Sequence, residues 1–330
     1  MAETFLFNPD LPFVRRDYPG NKLVNGRFVN EDGIGPVGFG KVFKWMFSAN
    51  PQRAEKKADP FRLPLRPDET IFSSEEDAFS WLGHASFLFR LRGKLLLTDP
   101  CLNDLPGTKR LVAPPFAFEK FRNVDYVLFT HTHRDHFDLK SVKQLLAVNP
   151  DMHFLVPLKM QPLLKALGAK YITEAGWYQQ YDKPLAHGIE IVFLPAKHWN
   201  RRFLHDTNRE LWGSFLLRTE EQTIYFAGDT AAADHFSSIA ELFPAINHAF
   251  MPVGAYKPNY MMKDAHISPE EAIDAFHALN AKTFVPMHFG TYDLADEPPG
   301  EPLRLLEQYK RDSALRGELL APAVGEHVRL

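Results

Sequence analysis

The chain has 330 residues, with 38 basic and 41 acidic side chains and a formal net charge of −3. This near balance argues against a nucleic-acid binder that depends on bulk positive charge, and a hydrophobic content of 45% excludes a largely disordered chain. Cys101 is the single cysteine, so an intramolecular disulfide is excluded and any metal site must use histidine and carboxylate ligands.

Residues 1–76 are expected to form an N-terminal extension that packs on the main body, because proline and glycine interrupt them and no long period is visible. Within them, Phe39–Phe47 has the pattern of a short amphipathic helix. It fits either an aromatic flap that seals the edge of the core or a peripheral membrane contact. The membrane contact is suggested by Trp45 and by the two lysines among the apolar residues, which are placed as in helices that lie on membranes.

The chain begins without a basic segment followed by an apolar stretch, and no run approaches the roughly 18 apolar residues that span a bilayer. We therefore expect a cytoplasmic protein, peripheral to a membrane if Phe39–Phe47 contacts lipid. The oligomeric state is left open.

From about residue 77 the pattern becomes regular, and 77–330 is expected to form one domain. Helices are predicted over 139–148, 159–167, 269–278 and 302–309. Strands are predicted over 78–82, 86–92, 94–98, 125–130, 153–156, 189–195, 214–219, 222–227, 249–252 and 283–286. The strands fall into two groups with helices between them, which predicts an α/β fold with two sheets and helices outside.

The segment with the clearest chemistry is THTHRDH, residues 130–136, which follows an apolar strand and precedes a helix. Alternation places His131 and His133 on one side of an extended chain, and Asp135 and His136 can then face a second point nearby. Imidazole and carboxylate suit zinc, iron and manganese. The spacing therefore predicts two cations that share this loop.

Two cations need more ligands, and the sequence has candidates in similar positions. His198, Asp229 and His288 each follow a predicted strand. The carboxyl ends of strands are where open α/β sites are usually built, so these side chains are expected to converge with the 130–136 segment.

These motifs resemble the metallo-β-lactamase-fold hydrolases, and within them the N-acylphosphatidylethanolamine-hydrolysing phospholipase D family. The similarity runs from about Trp81 to the C-terminus, with a weaker likeness in 1–76. Its matching stretches are WLGHAS (81–86), LLTDP (96–100), HTHRDHFD (131–138), HWNRR (198–202), LWGSF (211–215), FAGDT (226–230), PVGAYKP (252–258), HISPEEA (266–272) and MHFGTY (287–292). The resemblance implies an αββα sandwich of the metallo-β-lactamase fold.

The resemblance also implies the ligand roles of a site for two zinc ions, although other divalent metals fit the same donors. The first ion would be held by His131, His133 and His198. The second would be held by Asp135, His136 and His288, with Asp229 bridging the two. Asp99 and His84 would brace the ligands from behind.

Several residues outside that set have two possible roles. Asp135 is a candidate proton relay, and His266 either contacts the phosphate and protonates the leaving group or orders its loop. Four candidates for substrate contact are equally explained by ordinary packing or turn roles: Tyr256, Lys257, Trp199 and Phe289. The sequence departs from the family at Arg134, where an aromatic residue is common, and at Ala265, where a polar residue is common.

The function implied is a phospholipase D type phosphodiesterase. A metal-bridging hydroxide would attack N-acylphosphatidylethanolamine or a similar phosphodiester, and phosphatidic acid and N-acylethanolamine would be released. One alternative is a lactonase or another carboxyl-ester metallo-hydrolase of the same fold. A second is a nuclease-like phosphodiesterase, although a net charge of −3 argues against a nucleic-acid partner.

Overall fold

The computed structural model describes residues 3–30, 32, 38–203 and 205–330. Its strands, in chain order, are β1 (Glu3–Leu6), β2 (Asn21–Val24), β3 (Arg27–Phe28), β4 (Ala78–Gly83), β5 (Ser86–Leu91), β6 (Lys94–Thr98), β7 (Tyr126–Leu128), β8 (His153–Pro157), β9 (Tyr171–Ala175), β10 (Gln179–Tyr181), β11 (Glu190–Leu194), β12 (Ser214–Arg218), β13 (Thr223–Phe226), β14 (His248–Pro252), β15 (Thr283–Met287), β16 (Glu318–Leu319) and β17 (Val328–Arg329).

The helices alternate with these strands. They are α1 (Phe39–Phe47), α2 (Arg53–Ala58), α3 (Leu139–Val148), α4 (Gln161–Lys165), α5 (Asp182–Leu185), α6 (His235–Leu242), α7 (Asn259–Met262), α8 (Pro269–Ala278) and α9 (Glu301–Arg311). Two short 3₁₀ helices cover Glu69–Phe72 and Phe118–Asn123. Ser268 caps α8 by accepting from the backbone N–H of Glu271. None of the described helices is both long and apolar enough to cross a membrane.

Two seven-stranded sheets form the body of the molecule. One has the order β17-β4-β5-β6-β7-β8-β9 and the other β10-β11-β12-β13-β14-β15-β16. Each begins with antiparallel pairs and becomes parallel from β6 or β13 onward, where helices connect successive strands. The expected α/β sandwich with two sheets is confirmed.

The sheets pack face to face through aromatic side chains. Phe87 on β5 lies 4.9 Å from Phe250 on β14, measured between ring centroids. Its neighbour Leu88 points the other way, into a second apolar cluster that includes Val142 and Leu145 of α3. Alternate residues of β5 thus fill different cores, which explains the continuous apolar run Phe87–Phe89 within this strand.

The predicted boundaries are corrected in several places. The strand predicted over 125–130 ends at Leu128, because the backbone N–H of Thr130 bonds to the Asp99 side chain instead of continuing the ladder. The helix predicted over 159–167 is shorter, at Gln161–Lys165. The sequence prediction omitted several elements altogether: β9, β10, β16, β17 and α6.

The N-terminal extension forms its own small sheet, β1-β2-β3, and two helices that contact the loops after β14 and β15. The Lys41 ammonium lies 2.9 Å from Asp264, and the Trp45 indole N–H donates to Asp296. Phe43 and Phe47 of α1 are 65% and 74% exposed. One face of α1 is therefore held by the loops near the C-terminal strand ends, while Phe43 and Phe47 face solvent.

Candidate metal centre

The predicted metal ligands lie in four loops, each of which leaves the C-terminal end of a strand. The β7–α3 loop carries His131, His133, Asp135 and His136, and the loops after β11, β13 and β15 carry His198, Asp229 and His288. A fifth loop, after β6, carries Asp99. Because the two sheets pack face to face, these loops meet at one edge of the sandwich.

One group of four side chains surrounds a common point. His131 Nε2 lies 2.9 Å from His133 Nδ1, which is 3.1 Å from His198 Nε2. Asp229 Oδ2 lies 3.9 Å from the Nε2 atoms of both His131 and His198. Three imidazoles and one carboxylate that converge in this way are a donor set typical of zinc.

A second group lies beside the first and shares Asp229. His136 Nε2 is 3.2 Å from Asp229 Oδ2, and His288 Nε2 is 3.2 Å from Asp229 Oδ1. Asp135 Oδ2 completes the group at 3.5 Å from His288 Nε2 and 3.8 Å from His136 Nε2. The Asp229 carboxylate thus faces both groups, and its role as a bridging ligand stays a prediction.

Hydrogen bonds behind the ligands orient three of the imidazoles. His136 Nδ1 donates to Asp99 Oδ2 at 2.8 Å, and His198 Nδ1 donates to the carbonyl of Ala265 at 2.8 Å. Thr130 Oγ1 donates to Asp99 and accepts from His131 Nδ1. Since each Nδ1 carries the proton, each Nε2 has a free lone pair for a cation.

Buried polar atoms without partners support the same conclusion. Among the described residues, none offers a hydrogen bond of suitable geometry to the Nε2 atoms of His136 and His288 or to Asp229 Oδ1. Leaving such atoms buried and unpaired costs about 1–3 kcal/mol each. Divalent ions at the two groups would satisfy them, so the residues present fit a metal centre.

The pKa shifts of the first group favour neutral imidazoles. Burial lowers the pKa values of His131 and His198 well below the usual range and that of His133 to about 4. The second group differs because its carboxylates lie closer. Burial opposes charge on His136 and His288, but Asp229 raises the pKa of His136 well above its usual range and that of His288 to about 9. The carboxylates therefore attract a cation here, either a proton or a metal ion.

The two predicted bracing residues contact the ligands. Asp99 is fully buried and bonds to Thr130 and His136. His84 Nε2 lies 3.1 Å from Asp135 Oδ2, and burial lowers the pKa of His84 to about 3, so its ring is neutral. A neutral His84 can donate one hydrogen bond that orients Asp135.

His266 lies at the edge of the centre. Its Nδ1 atom is 3.9 Å from Asp229 Oδ2, and its side chain is 17% exposed, whereas those of the neighbouring His198 and His288 are almost fully buried. His266 is therefore near both groups and open to an incoming molecule. Its predicted role, at the phosphate or the leaving group, stays a prediction.

The four predicted substrate contacts lie in different environments. The Trp199 ring is 4.7 Å from that of His133, next to the centre. Phe289 is buried against Trp81. The Lys257 ammonium donates to Glu301 and Gln52, and the Tyr256 hydroxyl donates to Glu301. Substrate contact by these residues stays a prediction, and Trp199 has the position that suits it best.

Sequence reasoning missed several residues that hold the ligand loops. Arg202 is buried and donates to the carbonyls of Thr132 and Phe137, and Asn200 accepts from the Thr132 hydroxyl. The glycine before Asp229, Gly228, has φ +60, and a Cβ there would lie 2.7 Å from a methyl of Thr130. The HWNRR and FAGDT stretches were the available signal, but their contacts depend on the tertiary fold.

Comparisons with known proteins agree with this geometry. Residues 95–289 match the family model of the Beta-lactamase superfamily domain. The chain is 34% identical over 238 residues to a Caenorhabditis elegans protein named N-acyl-phosphatidylethanolamine-hydrolyzing phospholipase D 1, covering 68% of this chain and 67% of that one. It is 30% identical over 280 residues to the mitochondrial N-acyl-phosphatidylethanolamine-hydrolyzing phospholipase D of Saccharomyces cerevisiae, covering 82% of this chain and 60% of that one.

Solved structures share the fold. Igni18, a metallo hydrolase from Ignicoccus hospitalis, superposes with a TM-score of 0.59 at 20% identity, covering 77% of this chain and 98% of that one. The two-sheet fold and the His/Asp centre define a metal-dependent hydrolase. The chain belongs to the metallo-β-lactamase superfamily, within which it is similar to the N-acylphosphatidylethanolamine-hydrolysing phospholipases D. It spans only about two thirds or less of the length of those two curated relatives.

Proposed function

We propose that the protein is a dinuclear zinc phosphodiesterase of the phospholipase D type that releases phosphatidic acid and N-acylethanolamine from N-acylphosphatidylethanolamine-like phospholipids. The observation that carries the proposal is the Asp229 carboxylate, whose two oxygens face two adjacent groups of nitrogen and oxygen ligands. The resemblance to relatives with that activity supports the choice of substrate.

In this proposal His131, His133 and His198 would hold one zinc ion. Asp135, His136 and His288 would hold the other, and Asp229 would be available to both. The bound ions would lower the pKa of a bound water and neutralise charge that develops on phosphoryl oxygens.

The chain's own residues then complete the site. His266, exposed at the edge of the centre, donates a hydrogen bond to the phosphate or a proton to the leaving alcohol. Asp135, whose side chain is 18% exposed, is the carboxylate that we assign as a proton relay.

The extension has a part in the same proposal. We assign 1–76 as a segment packed on a hydrolase domain of residues 77–330, and α1 as a contact with a lipid surface. The exposed Phe43 and Phe47 rings lie 4.5 Å apart, between centroids, and neighbour the lysines at 41 and 44. An apolar surface flanked by lysines is typical of peripheral helices that bind anionic membranes.

The test is a product analysis on N-acylphosphatidylethanolamine with the wild type and Asp229→Asn, together with metal analysis. We expect about two zinc ions per wild-type chain, release of phosphatidic acid and N-acylethanolamine, and loss of at least about a hundredfold in kcat for the variant. The control is Asp151→Asn, a change at an exposed surface ion pair. Hydrolysis of a soluble diester or a lactone with the lipid left intact would overturn the lipid assignment.

A further inference from the structure

A wide cavity opens beside the first ligand group. Its volume is about 880 Å³, large enough for a substantial part of a small amphiphile. His133 and Asp135 form its inner end, and the loop after β11 forms its outer wall. A molecule in this cavity would therefore lie against the metal centre.

The cavity is strongly cationic. Four of its lining residues are arginines: Arg134, Arg201, Arg202 and Arg209. The two acidic lining residues are both committed elsewhere. Asp135 belongs to the ligand set, and the Asp206 carboxylate accepts from the backbone N–H groups of Arg202 and Phe203.

The ion-pair partners of Arg134 and Arg209 decide how much of this positive charge is left for a ligand. Within the part of the chain that the structure describes, neither Arg134 nor Arg209 forms an ion pair. Burial lowers the pKa of Arg202, and the positive charge of Arg134 lowers it further. The cavity thus concentrates positive charge that an anionic group could balance.

The same cavity also has an apolar wall. Trp199 stands between the His133 ring, 4.7 Å away, and the Arg201 guanidinium, 5.2 Å from the Trp199 ring centroid. Phe203 is 58% exposed at the outer wall. A ligand with a charged end and an apolar end would find a surface for each.

We infer that this cavity binds a second anionic group of the substrate, a carboxylate or a phosphate on the alcohol that leaves, with Arg134 and Arg209 as the residues that recognise it. This inference rests on the proposed phosphodiesterase function and ranks lipids with an anionic leaving alcohol above N-acylphosphatidylethanolamine itself. An N-acylated ethanolamine is uncharged, so it would leave the positive charge of the arginines in the cavity unbalanced. An alcohol that bears an anion would balance it.

Two matched substrate pairs test the inference and distinguish the two anions. N-acylphosphatidylserine differs from N-acylphosphatidylethanolamine by one carboxylate, and phosphatidylglycerophosphate differs from phosphatidylglycerol by one phosphate. Each lipid is presented at the same mole fraction in neutral detergent micelles. We expect the wild type to favour the anion-bearing member of one pair by about tenfold in kcat/KM, mainly through KM.

Arg134→Gln and Arg209→Gln should each reduce that preference at least about threefold. The matched control is Arg122→Gln, because Arg122 is exposed and lies before the N-terminal end of β7, opposite the end that carries the ligands. The control should retain the wild-type ratio. Equal kcat/KM values within both pairs, or an unchanged ratio in both variants, would overturn the inference.

A binding measurement keeps the test informative if no diester is cleaved. Tryptophan fluorescence is titrated with the same four lipids in micelles, using the zinc-loaded wild type, Arg134→Gln and Arg122→Gln. We expect about tenfold tighter binding of an anion-bearing lipid, lost in Arg134→Gln alone. Tighter binding of an anion-bearing lipid without any hydrolysis would refute the proposed reaction but support the preference of the cavity for an anion. Equal affinities for the two members of both pairs would refute that preference.

Discussion

At the scale of single residues, Asp99 determines how the metal centre is assembled. Its Oδ2 atom accepts from both His136 Nδ1 and Thr130 Oγ1, and its Oδ1 atom accepts from the Thr130 backbone N–H. One carboxylate therefore sets the protonated nitrogen of His136 directly and that of His131 through Thr130. An asparagine at position 99 could accept hydrogen bonds only at its single side-chain oxygen, whereas the carboxylate accepts at both Oδ1 and Oδ2.

Asp99→Asn should weaken metal binding by roughly 10–100-fold, because the ligand imidazoles lose the acceptor that fixes their orientation. Competition with a zinc chelator measures the change. Asp151→Asn, at an exposed ion pair with Lys170, serves as the control and should bind zinc like the wild type. Unchanged zinc affinity in Asp99→Asn would show that the hydrogen bonds to Asp99 are dispensable.

At the scale of elements, Glu301 at the start of α9 joins three segments of the chain. Its carboxylate accepts from Lys257 and Tyr256 in the loop after β14, and from Gln52 beside α2. The extension and this loop are therefore held on α9 by one partly buried carboxylate. The loop continues through α7 to His266, so the contact also supports the edge of the metal centre.

Glu301→Gln should destabilise the fold at pH 7 by about 1–3 kcal/mol, since bonds to a charged acceptor are replaced by weaker ones. Burial opposes the charge, but hydrogen bonds from Lys257, Tyr256 and Gln52 lower the pKa of Glu301. The Glu301 charge therefore stabilises the fold fully above its unfolded-state pKa of about 4.3. This stabilisation is lost as the pH falls toward the lower pKa of the folded state.

Urea unfolding at pH 7 and at pH 3.5 measures this difference. The difference in free energy of unfolding between the wild type and Glu301→Gln should be smaller at pH 3.5 than at pH 7. Exposed Glu307 lies on the same helix and forms no bond to the described residues of the extension, so Glu307→Gln is the matched control. A gap of equal size at both pH values would refute the role assigned to the Glu301 charge.

At the scale of the whole molecule, the metal centre joins the two sheets, because its ligands come from β7 on one side and from β11, β13 and β15 on the other. Metal removal should therefore lower the melting temperature of the entire domain. At a free metal concentration of 1,000 times Kd, bound metal adds about 4 kcal/mol to stability.

Calorimetry before and after chelation, followed by zinc addition, measures the effect. The wild type should lose and regain its melting temperature, whereas Asp229→Asn should respond far less, because its ligand shared between the groups is gone. A melting temperature that is insensitive to chelation in the metal-loaded wild type would contradict a metal centre that links the sheets.

The candidate ligand residues could be recognised in the sequence because their signal is local. Residues 131–136 hold four candidate ligands in one loop, and His198, Asp229 and His288 each follow an apolar strand that is recognisable by itself. Short elements such as β10, β16 and β17 were missed, since a strand of two or three residues has no period to detect.

The sequence by itself predicted the two-sheet α/β class, the candidate ligand set and the superfamily. The tertiary structure decided the rest: which nitrogen of each imidazole faces the centre, the docking of the extension through Trp45 and Gln52, and the cationic cavity. Arg134 and Arg209 are 75 positions apart and follow different strands, so neither signals the other along the chain. The reason is physical, because spacing and periodicity act over a few residues, whereas charge and hydrogen bonding depend on distances that exist only after the sheets have packed.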